Sequence, residues 1–220
     1  MTIVDRSLAD PAHLRISYDR GELAEESAPA EPFALFTSWF ADAVSAGLPE
    51  PNAMVLATAS ADGEPRARTV LLKGFKTDGF RFFTNHSSRK GRDLAANPRA
   101  SLLFPWHPIH RQVIVGGSCE PLPPEESAAY FRSRPYGSQL GAWASHQSAV
   151  IADRAELENR FAESAGRWPE ADSVPVPDFW GGYLVVPDYV EFWQGRPDRL
   201  HDRLRYTRES EGWLRERLAP

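Results

Sequence analysis

Basic and hydroxyl residues follow one another at the start of a short expected helix, where they could bind an anion. They are Ser87, Ser88, Arg89 and Lys90. Cations at that end oppose the helix dipole, whereas a phosphate would accept hydrogen bonds from free N–H groups and pair with both cations. The pattern therefore favours a phosphate site over the ordinary alternative, a solvated basic turn.

A phenol, a guanidinium and a hydroxyl recur every four residues further along the chain, as Tyr130, Arg134 and Ser138. The first two share a helix face. Pro135 and Gly137 should end that helix, so Ser138 is expected in the turn after it. The three groups together suit a phosphate monoester, although a simple helix-end cap would use the same residue types.

Potential cations alternate near the C-terminus, at Arg199, His201 and Arg203, and Trp193 precedes them. In a strand these three side chains would share one face. Like charges in a row repel one another unless an anion or an aromatic ligand faces them. A ligand-facing strand is thus favoured over a solvent-facing basic strand.

Arg68 and Lys73 bracket the apolar run 69–72. Strict alternation in a strand would place the two side chains on opposite faces, where they would contact different ligands or opposite sides of one sheet. The alternative is that both are solvent-exposed charges at the ends of a strand. Only three of the 25 basic residues are lysines, Lys73, Lys76 and Lys90. This bias indicates either positions that need a compact ammonium or codon usage alone.

In the Trp-rich stretch 141–148, Gln147 and Ser148 suit a flat heteroaromatic ring, and ordinary packing explains them equally well.

Composition and missing motifs exclude several function classes. A net charge of −5 argues against a general nucleic-acid binder, and no apolar run is long enough to cross a bilayer, so we expect a cytoplasmic protein. The sequence contains no nucleotide-binding glycine loop, CxxC, HExxH or GxSxG. His107 and His110 lack further ligand-type neighbours, so no metal is expected. Cys119 is alone and should be inert core.

Periodicity predicts antiparallel strands with helices between them, and a mainly β fold: one barrel domain over residues 31–220 after a mobile arm, residues 1–30. The expected helices are 31–47, 87–98, 123–135 and 151–166. The expected strands are 53–60, 67–75, 79–85, 99–106, 111–122, 181–187, 189–195, 201–210 and 212–218.

Six segments, taken in order, resemble pyridoxamine 5′-phosphate oxidase. They are RTVLLK (68–73), FFTNHSSRKG (82–91), LFPWHPIHRQV (103–113), YFRSRPYGSQLGAWAS and QS around His146 (130–148), FWGGY (179–183) and EFWQGRPDRLHDR (191–203). The similarity is collinear from about residue 13 to the C-terminal LAP. Each motif alone is weak evidence for this family, whereas six motifs in the same order are specific evidence for it.

The resemblance implies an FMN-binding split β-barrel, antiparallel and Greek-key-like, with peripheral helices. It implies a homodimer with two FMN sites at the subunit interface. It also implies oxidation of pyridoxamine or pyridoxine 5′-phosphate by O₂ to pyridoxal 5′-phosphate, with H₂O₂ formed, ammonia released from the amine, and hydride passing from C4′ to the flavin N5.

The same resemblance assigns the site residues. Those expected to hold FMN are Arg68, Thr69, Val70, Leu71, Leu72, Lys73, Phe83, Thr84, Arg89, Lys90, Gln112, Gln147, Ser148, Trp193 and Arg203. Those expected to bind the substrate phosphate are Lys73, Tyr130, Arg134 and Ser138. Arg199 and His201 would be catalytic, covering the pyridine ring, and Arg15 and Tyr18 would belong to an arm that closes over the substrate.

Three other functions remain compatible with the sequence. One is a different flavoenzyme on the same barrel, another a carrier that stores pyridoxal phosphate or FMN without turnover, and the last a structural dimer with vestigial pockets. The segment 21–32 is more acidic than its counterpart in enterobacterial members, which bears on arm closure and not on the chemistry.

Overall fold

The computed structural model describes residues 16–19 and 21–220. This part of the chain forms five α-helices and nine β-strands. The helices are α1 (Pro32–Ser45), α2 (Arg89–Ala96), α3 (Pro124–Ser133), α4 (Tyr136–Ala144) and α5 (Arg154–Arg167). The strands are β1 (Ala53–Ala59), β2 (Pro65–Leu71), β3 (Gly74–Lys76), β4 (Gly79–Asn85), β5 (Arg99–Trp106), β6 (Arg111–Pro121), β7 (Trp180–Gln194), β8 (Asp202–Glu209) and β9 (Gly212–Arg217).

The strands form one curled antiparallel sheet in the order β2-β1-β5-β6-β7-β4-β3, and β8 and β9 extend it from β7. The 15-residue strand β7 is the hub, because β6 pairs along most of it, β4 with its first half and β8 with its second half. The sheet therefore branches and curls into a split barrel. The mainly β fold class expected from the sequence is confirmed.

A β-bulge in β7 lets the hub strand bend. Gly116 faces Tyr189 and Gly117 faces Pro187, so Asp188 has no partner in the register. Proline cannot donate to a sheet ladder and is tolerated at such a bulge. A side chain at Gly117 would begin 2.0 Å from the Val186 carbonyl oxygen, which explains the glycine. Two separate strands were expected at 181–187 and 189–195; the bulge joins them into one.

Helix α1 closes the barrel through aromatic packing. Phe36 is fully buried, and its ring centroid lies 4.8 Å from that of Phe75, 4.9 Å from Phe80 and 5.1 Å from Phe104. Pro32 begins this helix, and its phenylalanines recur at helical spacing. The predicted helix 31–47 is confirmed, with slightly shorter bounds.

The prediction of one continuous strand over residues 67–75 is wrong. Strand β2 ends at Leu71, and the chain then changes partner: Leu72 N–H donates to Asn52 O on the β1 side, and Lys73 N–H donates to Arg81 O on β4. Leu72 is buried in the core. A change of pairing partner depends on distant residues, so the local pattern could not reveal it.

The expected turn after α3 is wrong as well, because a new helix begins there. Pro135 occupies the N-cap position of α4, and Ser138 lies in the first turn of that helix. Proline both ends one helix and suits the start of the next. The Trp-rich stretch 141–148, for which the sequence predicted no secondary structure, is helical as far as Ala144.

Residues 21–30 of the expected arm contact the barrel. Leu23 is buried, its N–H donates to Asp202 Oδ2 at 3.0 Å, and its carbonyl accepts from Arg217 Nη2 at 2.9 Å. Arg217 also pairs with Glu25 and Asp202. An ion-pair network thus ties this segment to β8 and β9.

No helix among the described residues is long and apolar enough to cross a membrane.

We expect Phe36→Ala to lower the free energy of unfolding by about 3–5 kcal/mol, because five neighbouring aromatic rings cannot collapse into the space. Val44→Ala on the same helix is the control, since Val44 is 52% exposed and its loss should change stability by less than about 0.5 kcal/mol. Urea denaturation measures both. Similar values for the two variants would contradict the role of Phe36 in the core.

Candidate functional site

An open cleft of about 570 Å³ lies where β2 and β4 meet α3 and α4. We call it the main cleft. Thr69, Val70 and Leu71 at the end of β2 and Phe83 and Thr84 on β4 form one wall. The remaining lining residues are Lys73, Asn85, Lys90, Tyr130, Arg134, Pro135, Ser138, Gly141, Ala142, Ser145, Gln147 and Trp180.

One end of the main cleft places a buried cation beside a helix N-terminus. Arg134 lies between α3 and α4, and its Nη1 is buried without a hydrogen-bond partner. Burial lowers the pKa of Arg134. The first turn of α4 carries Ser138 and has no side-chain N-cap bond. A helix N-terminus, a hydroxyl and a guanidinium therefore converge there, as a phosphate monoester requires.

Lys90 lies deeper in the same cleft and is 9% exposed. Its ammonium donates to Gln147 Oε1 at 2.7 Å and to Thr84 Oγ1 at 3.2 Å, both neutral acceptors. Burial, with a smaller contribution from the charge of Arg68, lowers the pKa of Lys90 to about 8. A nearby anion would restore the charged form.

The main cleft continues into a basic groove of about 650 Å³, and the two share Thr69, Lys90 and Gln147. The other residues lining the basic groove are Arg66, Ala67, Arg68, Arg89 and Ser148. Ser88 caps α2 by accepting from Gly91 N–H, and Arg89 N–H donates to Ser148 Oγ at 3.2 Å. The cations that the sequence placed at this helix start thus face one groove.

Asp93 on α2 fixes the two arginines on β2. It accepts from Arg66 Nη1 at 2.5 Å and from Thr58 Oγ1 at 2.8 Å. The Thr58 hydroxyl accepts in turn from Arg68 Nη1 at 2.8 Å. This buried carboxylate was missed in the sequence, where an acidic residue in a charged helix is indistinguishable from a solvated one.

A second cleft of about 410 Å³ lies elsewhere on the chain, and none of the described residues that line it also lines the main cleft or the basic groove. It contains Tyr18, Trp193, Arg199 and His201. The Tyr18 ring meets Trp193 and His201 edge-on, with centroids 5.7 and 5.6 Å away.

The shared strand face expected for Arg199, His201 and Arg203 is wrong. Asp198 and Arg199 both have left-handed backbone angles within the 3-10 turn Pro197–Arg199, and β8 begins only at Asp202. Arg196 N–H donates to His201 Nδ1 at 3.1 Å, which makes that nitrogen an acceptor. Burial, and secondarily Arg199, lowers the pKa of His201, so the geometry favours a neutral ring with hydrogen on Nε2.

Family models match two consecutive parts of the chain. Residues 40–167 match "Pyridoxamine 5′-phosphate oxidase", and residues 180–220 match "Pyridoxine 5′-phosphate oxidase C-terminal dimerisation region". The chain belongs to the pyridoxamine 5′-phosphate oxidase family. The resemblance found in the sequence is thereby confirmed.

Curated relatives agree with this family over almost their whole length. A pyridoxine/pyridoxamine 5′-phosphate oxidase of Thermobifida fusca is 56% identical over 218 residues, covering 96% of this chain and 99% of its own. One from Bordetella petrii is 56% identical over 208 residues, covering 94% and 98%. The crystal structure of PhzG from Burkholderia lata, in complex with tetrahydrophenazine-1-carboxylic acid, aligns with a TM-score of 0.86 at 33% identity, covering 92% and 100%.

The predicted site residues of this family member fall into three groups. Lys73, Tyr130, Arg134 and Ser138 lie together in the main cleft, and Arg68, Arg89, Lys90, Gln147 and Ser148 meet at or beside the basic groove. Gln112, Trp193 and Arg203 are direct neighbours across β6, β7 and β8, and Trp193 shares the second cleft with Tyr18, Arg199 and His201. Leu72 packs in the core, and Arg15 lies outside the described residues.

The prediction missed six residues that line the main cleft: Asn85, Pro135, Gly141, Ala142, Ser145 and Trp180. All six stand within quoted motifs, and Asn85 and Trp180 are register partners on β4 and β7. Among residues 16–19 and 21–220, no group of three or more His, Cys, Asp or Glu side chains is arranged to hold a metal ion.

In protein without bound ligand, we expect Lys90 to titrate near pH 8, so that its ammonium is charged below that pH and neutral above it. Since the chain has three lysines, ¹³C NMR of protein labelled at lysine Cε can follow each one. Lys90→Arg identifies the resonance by removing it. A midpoint at the ordinary value of 10.5 would contradict the desolvated environment.

Proposed function

We propose that this protein binds FMN and oxidises pyridoxamine and pyridoxine 5′-phosphate with O₂ to pyridoxal 5′-phosphate. The observation that carries this proposal is one continuous cleft with basic side chains at each of its two ends. Arg134 and Ser138 form one end, and Arg68, Arg89 and Lys90 form the other. A phosphorylated cofactor and a phosphorylated substrate, bound side by side, need that arrangement.

The residues of the basic groove fit the phosphate of FMN. Lys90 is a buried cation held only by neutral acceptors, and Arg68 is fixed by the Leu56 carbonyl and Thr58, at 3.0 and 2.8 Å. The N-terminus of α2 adds its dipole. Bound FMN would supply the two-electron acceptor that amino-acid side chains lack. The end of β2 and Phe83 would line the ring system.

Arg134 and Ser138 would hold the substrate phosphate, with Lys73 and Tyr130 beside them. Such a grip is distant from the reacting carbon, and its binding energy serves to orient that carbon. The phosphate would satisfy the buried Nη1 of Arg134, which has no partner among the described residues. Substrates without phosphate should therefore bind much more weakly.

We infer that a second copy of the chain supplies Arg199, His201, Trp193 and Arg203 to this cleft. These residues belong to the segment that matches the dimerisation region. Large apolar side chains are exposed beside both half-sites: Leu200 is 71% exposed and Val150 is 99% exposed. A twofold dimer would cover such surfaces and complete two equal sites. His201 with hydrogen on Nε2 would then donate a hydrogen bond to the substrate rather than remove a proton.

The reaction is tested by mixing the FMN-loaded protein with pyridoxamine 5′-phosphate without oxygen, and then admitting air. We expect the flavin absorbance to bleach and recover, with pyridoxal 5′-phosphate and peroxide formed. If the flavin absorbance does not bleach, the proposed cofactor stands and the proposed substrate is wrong. If the protein cannot be loaded with FMN, the whole proposal is wrong.

The shared site is tested by mixing two impaired variants. Arg134→Ala should raise KM strongly, and Arg199→Ala should lower kcat/KM more than about tenfold. If each site takes Arg134 from one chain and Arg199 from the other, re-equilibrated mixtures should recover about a quarter of the parental activity, because about half of the dimers contain one intact site.

Subunit exchange is checked separately by native mass spectrometry of a tagged and an untagged copy, because that readout does not depend on which chain supplies each residue. In the activity assay, no recovery from two single variants that demonstrably exchange subunits would mean that each site is built within one chain.

A further inference from the structure

Three aromatic rings stand nearly parallel in the wall of the main cleft: Tyr130 on α3, Phe83 on β4 and Trp180 at the start of β7. We call them the aromatic stack. The Phe83 centroid lies 4.0 Å from that of Tyr130 at an interplanar angle of 20°, and 5.5 Å from that of Trp180 at 10°. Tyr130 and Trp180 are also within 10° of parallel. The orientation of Tyr130 therefore depends on the rings behind it.

Trp180 also supports the guanidinium of Arg134. The Arg134 Cζ lies 4.9 Å from the centroid of the indole ring and 5.5 Å from that of Phe131. In the described chain no carboxylate lies within ion-pair distance of Arg134, and its Nη1 has no hydrogen-bond partner. Aromatic faces are thus what stabilises this charge, and cation–π attraction is stronger in a desolvated place.

We propose that Trp180 is a positioning residue for the substrate phosphate, acting through Arg134 on its face and through Tyr130 across Phe83. The inference rests on the proposed function and extends it to a residue of the FWGGY motif. A preoriented guanidinium loses less side-chain freedom when the phosphate binds, so the indole contributes to affinity without touching the reacting carbon.

The glycines after Trp180 support this interpretation. A side chain at Gly182 would begin 2.7 Å from Cε1 and 2.9 Å from Cδ1 of Phe83. Glycine lets the Phe83 ring lie close against β7, parallel to Trp180. The motif therefore provides both a flat aromatic face for Arg134 and the space that the aromatic stack needs.

The test compares three variants of the FMN-loaded protein: Trp180→Leu, Trp180→Phe and the control Trp168→Leu. Trp168 is a matched control because Arg167 also stands 4.9 Å from its ring, and because it packs in the same secondary cluster of apolar residues as Trp180. Steady-state rates are measured with pyridoxamine 5′-phosphate and with pyridoxamine, which lacks the phosphate.

For the phosphorylated substrate, Trp180→Leu should raise KM about tenfold, equivalent to about 1.4 kcal/mol of binding, while kcat stays within about threefold. Trp180→Phe keeps an aromatic face and should raise KM only about threefold, which also tests the proposal if the leucine variant does not fold. Trp168→Leu should leave KM unchanged. For pyridoxamine, kcat/KM should be the same in parent and variants.

Equal losses with both substrates would overturn the proposal, because they would indicate contact with the ring or general loosening. An unchanged KM in Trp180→Leu would overturn it as well. If the parent oxidises neither compound, the proposed function fails by itself, and calorimetry with pyridoxal 5′-phosphate then decides. Affinity reduced about tenfold in Trp180→Leu alone supports the positioning role, and equal affinities reject it.

Discussion

The structure is organised around cations that are desolvated without a carboxylate partner. Lys90 is held by an amide and a hydroxyl, and Arg134 by aromatic faces. Burying an unpaired charge costs several kcal/mol unless something compensates it. Other arginines of this chain do receive acids: Arg81 pairs with Asp78 and Glu126, and Arg217 with Glu25 and Asp202. The contrast marks Lys90 and Arg134 as cations available to a ligand, whereas Arg81 and Arg217 hold the fold.

The sheet explains why the uncompensated cations meet. Strand β7 begins at Trp180 beside Asn85 at the end of β4, and β4 leads directly to the capped helix that carries Lys90. The change of partner after Leu71 brings Lys73 to the same edge. Burying unpaired cations costs free energy at this edge, whereas the aromatic core around Phe36 stabilises the fold elsewhere. Such a trade is common at functional sites.

Local signals in the sequence predicted the elements that they determine. Helical spacing of phenylalanines gave α1, and the serine before a basic turn gave the cap of α2 at Ser88. The predictions failed where distant residues decide. A proline that ends α3 also starts α4, and two left-handed residues keep His201 out of β8. Residue types predicted an anion site, but no spacing along the chain could divide the residues between two clefts.

A site divided between two faces of one chain has a thermodynamic consequence if the proposed dimer forms. Neither half-site would bind a substrate well alone, since the main cleft lacks Arg199 and His201 and the second cleft lacks Arg134. Ligand that contacts both chains must then favour association, by the same free energy with which association favours ligand binding. The ligand itself would link the two, because its phosphate would satisfy an uncompensated cation of one chain while its ring contacts Arg199 and His201 of the other. Leaving Lys90 and Arg134 without acids would thus reserve these charges for the ligand whose binding favours assembly.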